Sequence, residues 1–234
     1  MRKFFGIIVT IIVCAVFYIA CNTTKNELVV SYKNFDGEIE QQQNLVFAFN
    51  KDIYPDSLLQ SWDSTDYVEF TPAVKGMFKW NSSSELMFSP SQGFQPGTEY
   101  TATLTSFILN RSVKKYSFDK ESFHFHTAPL RITDTHLSYT RGKNSSNVMV
   151  QLDVNFNYEV KLNEAAMHLQ ISSNGNAISI MTANEVAGKT LSIQFSPVSN
   201  RDEETPLTIK MNKGIPVNHS KYISGNDTTL VDSI

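Results

Sequence analysis

The strongest constraint on the fold is a series of short apolar runs between Leu45 and Leu104, each closed by proline, glycine, serine or asparagine. Leu45-Val46-Phe47-Ala48-Phe49 is followed by Phe70-Thr71-Pro72, Phe78-Lys79-Trp80, Leu86-Met87-Phe88-Ser89-Pro90 and Pro96-Gly97-Thr98-Glu99-Tyr100. Runs of strand length with turn residues at this spacing fit an antiparallel all-β sandwich better than a fold with helical crossovers. Side-chain alternation agrees. Leu45, Phe47 and Phe49 share one face of an extended segment, with Val46 and Ala48 opposite. Tyr100, Ala102 and Leu104 likewise alternate with Thr101, Thr103 and Thr105. The 16 Phe and 9 Tyr suit the half-buried surface of a pleated sheet.

Local signals place the remaining pieces. Asn50-Lys51-Asp52 ends the first run, and Ser57 to Trp62 reads as a loop or a single helical turn. Asn81-Ser82-Ser83-Ser84 predicts a four-residue hairpin loop between Met77–Trp80 and Glu85–Phe88. Phe123 and Phe125 alternate with His124 and His126 and close this half, with a boundary at Thr127-Ala128-Pro129.

The same grammar then restarts in Val148, Val150, Leu152, Val154 and Phe156, in Leu191, Ile193 and Phe195, and in Leu207, Ile209 and Met211. Asn163 to His168 fits one helical turn capped by Asn163. Asn174-Gly175-Asn176 reads as a turn, and Ser199 to Pro206 as an exposed charged loop. Past Gly214 the pattern fades. We therefore expect two consecutive sandwiches, residues 22–128 and 129–215, followed by an incomplete or disordered tail over 216–234. About 100 residues per domain is enough to bury a core. The fading pattern reads as the beginning of something longer, or as a truncated copy.

Arg2 and Lys3 precede an apolar run from Phe4 to Ile19, and Ala20-Cys21-Asn22 follows. That is the order of a secretory leader. It looks like a bacterial lipoprotein signal, residues 1–21, in which Cys21 becomes the acylated amino terminus. Tyr18 is bulkier than the residue usual three positions before the cut end, and Cys14 is a poorer acceptor with Val13 before it. An uncleaved membrane anchor and a plain secreted form stand beside this reading, although the run is slightly short of the ~20 apolar residues that span a bilayer. Cleavage and acylation together leave no free thiol, which excludes disulfides, cysteine nucleophiles and cysteine metal sites.

Loss of Arg2 and Lys3 leaves 18 basic against 23 acidic residues, a net charge of −5. Without a concentrated basic footprint, nucleic-acid binding is set aside. His124 and His126 share one strand face at a spacing that can bind zinc, but no carboxylate cluster or third His is nearby in sequence, although Asp119 and Glu121 precede them. His136, His168 and His219 are isolated, and no Gly-x-Ser-x-Gly accompanies them. Asp202-Glu203-Glu204 are adjacent loop acids, not a pair facing across a cleft. Gly175 and Gly188 lack a phosphate-cradling pattern. Trp62, Trp80 and Tyr100 could form a sugar-stacking platform, although Trp80 alternates with Phe78 and fits the core better. Asp56-Ser57-Leu58, Asp63-Ser64-Thr65, Asp227-Thr228-Thr229 and Asp232-Ser233-Ile234 resemble acceptor sites for O-glycans in exported Bacteroidetes proteins and equally fit turns. No catalytic residue, cofactor, metal site or small-molecule substrate follows from these residues, so no enzyme is expected.

Asn50-Lys51-Asp52-Ile53-Tyr54-Pro55, Phe70-Thr71-Pro72, Gly76, Trp80, Leu86 to Pro90 and Pro96-Gly97-Thr98-Glu99-Tyr100, in that order, resemble the bacterial Ig-like domain. That domain occurs in surface-layer proteins and at the front of bacterial alpha-2-macroglobulins. With the leader, the chain looks most like the amino-terminal portion of a Bacteroidetes-type alpha-2-macroglobulin lipoprotein. The likeness is best over residues 28–128 and weaker over 129–215. It implies two Ig-like or macroglobulin-like sandwiches lipid-anchored at Cys21 to the outer membrane, on either its periplasmic or its surface face. It also implies the framework start of a protease-trapping inhibitor, whose partners would be the membrane and proteases. The sequence departs from that family in having no Cys after Cys21, hence no thioester, and no recognisable bait segment. The rival expectation is a stand-alone adhesive or carbohydrate-binding surface lipoprotein.

Overall fold

The computed structural model describes residues 26–141, 148–182, 186–197 and 205–233. Its regular structure is almost entirely antiparallel strand, and the fold is an Ig-like β-sandwich architecture. Two units divide the chain. The first runs to Phe94 and takes in Glu99–His126, and the second holds Gln95–Thr98 and everything from Thr127. The short segment Gln95–Thr98 joins the second unit because its hydrogen bonds lie there: Gly97 N–H donates to the Ala128 carbonyl at 2.8 Å, and Ser220 Oγ donates to Gln95 Oε1 at 2.7 Å.

The first unit contains β1 (Glu27–Leu28), β2 (Val30–Lys33), β3 (Gly37–Ile39), β4 (Leu45–Phe49), β5 (Trp62–Asp63), β6 (Val68–Thr71), β7 (Gly76–Ser82), β8 (Glu85–Pro90), β9 (Glu99–Leu104), β10 (Ser117–Phe118) and β11 (Ser122–Thr127). One sheet has the order β2-β4-β8-β7-β5 and the facing sheet β3-β11-β9-β6, with β1 and β10 paired in parallel beside them. Ser57 to Trp62 resolves into a 3₁₀ turn at Asp56–Leu58 and the start of β5.

The hairpin is tighter than its sequence suggests. Ser82 pairs with Glu85, so the loop is Ser83-Ser84 alone, and the register shifts between Trp80 and Ser82. Asn81, expected in the loop, stays in β7 and donates from Nδ2 to Glu85 Oε1 at 2.8 Å.

Alternate residues of both sheets point inward and make a core of rings. Phe35, Phe47, Phe49, Tyr67, Phe70, Phe78, Trp80, Phe88, Phe94, Tyr100 and Phe125 are all buried. Edge-on and tilted contacts link them, among them Phe35–Phe47 at 5.0 Å, Phe70–Phe88 at 4.5 Å and Phe94–Phe125 at 5.4 Å. Such geometry adds about 0.5–1.5 kcal/mol per pair beyond area burial.

The second unit contains β12 (Ile132–Arg141), β13 (Val148–Val160), helix α1 (Leu162–Met167), β14 (Leu169–Ser173), β15 (Asn176–Ala177), β16 (Met181–Thr182), β17 (Gly188–Phe195), β18 (Pro206–Met211) and β19 (Thr228–Ser233). Its sheets are β12-β13-β17-β16 and β15-β14-β18-β19. The core is aliphatic, built on Val150, Leu152, Val154, Leu191, Ile193, Leu207 and Ile209. Asn174 and Gly175, both at positive φ, form the two-residue turn between the paired Ser173 and Asn176.

Two expectations for this half are corrected. Helix α1 (Leu162–Met167) is capped two residues earlier than expected. Lys161 stands at its N-cap with no side-chain cap bond, so Asn163 lies inside the helix. The segment after residue 215, expected as an incomplete or disordered tail, carries regular structure up to Ser233. Ile215 and Val217 are buried, Asn218 N–H donates to the Glu159 carbonyl at 2.7 Å, and β19 pairs with β18 over six residues from Thr228 to Ser233. The intervening stretch has no alternation because it follows a meander held by side chains. Ser224 Oγ accepts from Gly214 and Ile215 N–H, and Asp227 Oδ1 accepts from Lys213 N–H at 2.8 Å.

Candidate functional site

Cys21, expected to carry the lipid, lies outside the described residues, as do Cys14 and the acids Asp202-Glu203-Glu204. His124 and His126 sit on the outward face of β11, opposite Thr101 and Glu99 of β9. His124 Nδ1 is 3.0 Å from Thr101 Oγ1, and no group of three His, Cys, Asp or Glu side chains is gathered among the described residues. The three-ring platform does not exist. Trp80 and Tyr100 are core residues at 1% and 3% exposure, whereas Trp62 is 49% exposed. The reason is strand phase: Trp62 pairs with Lys79 on the outer face of β7, one residue out of step with inward Trp80.

The short strand β5 creates the most tightly bonded polar group of the first unit. Asp63 accepts hydrogen bonds from Thr65 N–H at 2.8 Å, Thr65 Oγ1 at 2.8 Å and Tyr67 Oη at 2.7 Å. Burial pushes its carboxyl up, but the bonds from Tyr67 and Thr65, with the charge of Arg111, outweigh that and hold it below the ordinary value. Burial and the carboxylate acceptor push the Tyr67 phenol in the opposite direction, well above its usual range. Tyr54 stacks on Trp80 at 4.7 Å and Tyr67 meets the same indole edge-on at 5.7 Å. Trp80 Nε1 is buried and, among the described residues, finds no acceptor at hydrogen-bond geometry. A carboxylate kept ionised and a phenol kept protonated make a fixed bracket rather than an acid–base pair. The Asp63-Ser64-Thr65 segment thus uses its polar side chains for a turn.

In the second unit, strand register builds a row that sequence spacing hides. His136, Asp153 and Ser192 stand side by side on β12, β13 and β17. Ser192 Oγ donates straight to Asp153 Oδ1 at 2.6 Å, and Gln151 Nε2 donates to both carboxylate oxygens at 3.0 and 3.3 Å. Hydrolytic triads need the imidazole between serine and carboxylate. Here the carboxylate is in the middle, so the serine has no base. The adjoining row, Thr190 Oγ1 to Asn155 Oδ1 at 2.6 Å, continues the same polar lattice across the sheet face.

Concavities of the first unit, among the described residues, include two of note. One, about 330 Å³, lies where the β6 edge faces β7 and is lined by Val68, Phe70, Val74, Phe78 and Phe88, with Asp66 and Lys75 at its rim. Gly76 is required in its wall, since a Cβ there would overlap the Phe88 ring and the Ser89 carbonyl. The other, about 260 Å³, lies beside the Asn50-Lys51-Asp52 turn and is lined by Lys51, Asp52, Lys114 and Tyr116 among others. Nothing in the sequence brought residues 50–52 and 114–116 together; only the fold does so.

Paired edges, inward rings and a hairpin carrying Trp80 over residues 28–127 point to one kind of module. Residues 28–127 match the family model of the bacterial Ig-like domain. Comparison with curated proteins gives no match. Among solved structures, L,D-transpeptidase 3 from Mycobacterium tuberculosis is 13% identical, over 55% of this chain and 45% of that chain, with a TM-score of 0.30. Its complex with a faropenem-derived adduct aligns over 46% of that chain at the same score, so this chain spans less than half of both. An L,D-transpeptidase from Mycobacterium tuberculosis H37Rv is 10% identical, over 72% of this chain and 76% of that chain, again at 0.30. No argument about chemistry rests on likeness at that score. What the Ig-like unit offers is a scaffold with a fixed polar bracket and two clefts.

Proposed function

We propose that this chain is a non-enzymatic module of the bacterial cell envelope, anchored through an acylated Cys21 to the outer membrane. In this reading it is the framework start of an alpha-2-macroglobulin-like protease-trapping inhibitor. The observation that carries the reading is the Ig-like match over residues 28–127, preceded by Arg2-Lys3, an apolar run and Ala20-Cys21, an order that reads as a leader. Supporting it, Asp63 and Asp153 spend their carboxylate oxygens on hydrogen bonds from neighbouring turn and strand residues. Its partners would be the membrane and, within a longer inhibitor, proteases. Two measurements test it. Fatty-acid labelling of cells should tag the wild-type protein and not a Cys21→Ala variant; equal label in both removes the anchor. The genomic sequence downstream should continue into macroglobulin-like sequence, and its absence there and in neighbouring genes removes the inhibitor.

A second reading, a stand-alone adhesive or carbohydrate-binding lipoprotein, is favoured by one observation. Trp62 is half exposed on the outer face of the first unit, with Lys79 Nζ 5.3 Å from its ring centroid. Ring and cation together form a recognition element. Glycan-array and cell-adhesion signals that fall in a Trp62→Ala variant would support it, and blank assays would dismiss it.

A further inference from the structure

We propose that the 260 Å³ cleft beside the Asn50-Lys51-Asp52 turn is a binding site for an acidic sugar, a monosaccharide unit bearing one carboxylate or phosphate. The inference deepens the recognition reading and is independent of the anchor and of the inhibitor. Four side chains carry it. Lys51 and Lys114 line the cleft, and among the described residues neither ammonium has an ion-pair or hydrogen-bond partner. Two lysines and one carboxylate, Asp52, leave the lining of this concavity with one net positive charge, and lysines commonly hold phosphate and carboxylate as point charges.

Asp52 makes the site selective. Ser83 Oγ donates to its Oδ1 at 2.6 Å, and Ile53 and Tyr54 N–H both donate to the Ser83 carbonyl, at 2.8 and 3.0 Å. The carboxylate is therefore fixed in place with Oδ2 left to accept from a ligand hydroxyl. A bare anion or an acidic peptide side chain would satisfy the lysines and meet Asp52 as a like charge. A sugar acid places its charge on the lysines and a hydroxyl on Asp52. Tyr116 closes one wall, its ring packed against the core and its hydroxyl donating to the Asp52 carbonyl at 3.4 Å.

The floor is preformed. The Asn50 side chain clamps the turn, with Oδ1 accepting from Val29 N–H at 3.2 Å and Nδ2 donating to the Glu27 carbonyl at 3.0 Å. At about 260 Å³ the cleft falls just under the ~300–1,000 Å³ of sites for drug-sized ligands. One sugar unit fits that size, with the chain of a polysaccharide leaving through the open side.

The test uses the full chain in mild detergent, with saturation-transfer NMR and calorimetry. The probes are D-glucuronate, D-glucose 6-phosphate, D-glucose, acetate and inorganic phosphate. Saturable binding of glucuronate or glucose 6-phosphate is expected, at least tenfold tighter than glucose, acetate or inorganic phosphate. The tighter of the two acids identifies the charged group. A Lys51→Gln/Lys114→Gln double variant should lose at least tenfold in affinity. Asp52→Asn should narrow the gap between the sugar acid and the simple anion. Absence of saturable binding, equal binding of the simple anions, or an unchanged double variant overturns the proposal. A glucuronate signal that survives the double variant and vanishes in Trp62→Ala also overturns the cleft, while leaving the recognition reading intact.

Discussion

At the scale of single residues, the two tryptophans have opposite fates that spectroscopy can read. Trp80 is sealed among Phe49, Tyr54 and Tyr67, whereas Trp62 faces solvent. Iodide should quench only part of the native emission, and Trp62→Phe should leave a blue-shifted emitter that iodide does not reach. Trp80→Ala should cost about 3–5 kcal/mol in urea unfolding, as for other buried indoles. The Asp63–Tyr67 pair adds a pH signature. The folded Asp63 carboxyl titrates below its unfolded value, so its stabilisation is complete above the ordinary carboxylate range near pH 4 and is lost as pH falls through the folded value. The raised Tyr67 phenol stabilises fully below about pH 10, and that contribution declines above it. Tyr67→Phe should cost about 1 kcal/mol at neutral pH, at the low end for a hydrogen bond to a partly solvated charge. It should also flatten both limbs of a stability-against-pH curve. Gly97 sits at φ +57°, and a Cβ there would come within 2.6 Å of the Tyr222 ring. Gly97→Ala should therefore destabilise by more than ~1 kcal/mol.

At the scale of elements, β19 carries a sharp expectation. It covers the β18 edge from Pro206 to Met211. Truncation after residue 226 would leave that edge open, and size-exclusion chromatography should show aggregated material instead of monomer. The strands with strict alternation were legible from sequence, because a sandwich strand buries every second residue: Leu45/Phe47/Phe49 and Val150/Leu152/Val154 point inward as their spacing demands. Less legible were the pieces set by side-chain bonds. The meander from Gly214 to Asp227 carries no period, and its order comes from Ser224 and Asp227. The candidate sites were the least legible. His136, Asp153 and Ser192 meet only through register, and Lys51 meets Lys114 only through the fold of the first unit. Trp80 was read correctly as core from its phase with Phe78, while Tyr100 and Trp62 needed the pairing of their strands to be separated.

At the scale of the whole molecule, two sandwiches of similar architecture are filled differently. The first is packed with interlocking rings, the second with Val, Leu and Ile. Leu152→Ala in the second core should cost about 2–5 kcal/mol by chemical denaturation, a range set by how far its neighbours relax. Exchanges that keep volume, such as Ile193→Leu, should cost less than about 1.5 kcal/mol. Phe35 is held differently, meeting Phe47, Phe123 and Phe125 edge-on. Aliphatic side chains can therefore be exchanged at nearly constant volume, whereas a change to one ring disturbs its contacts with several others at once.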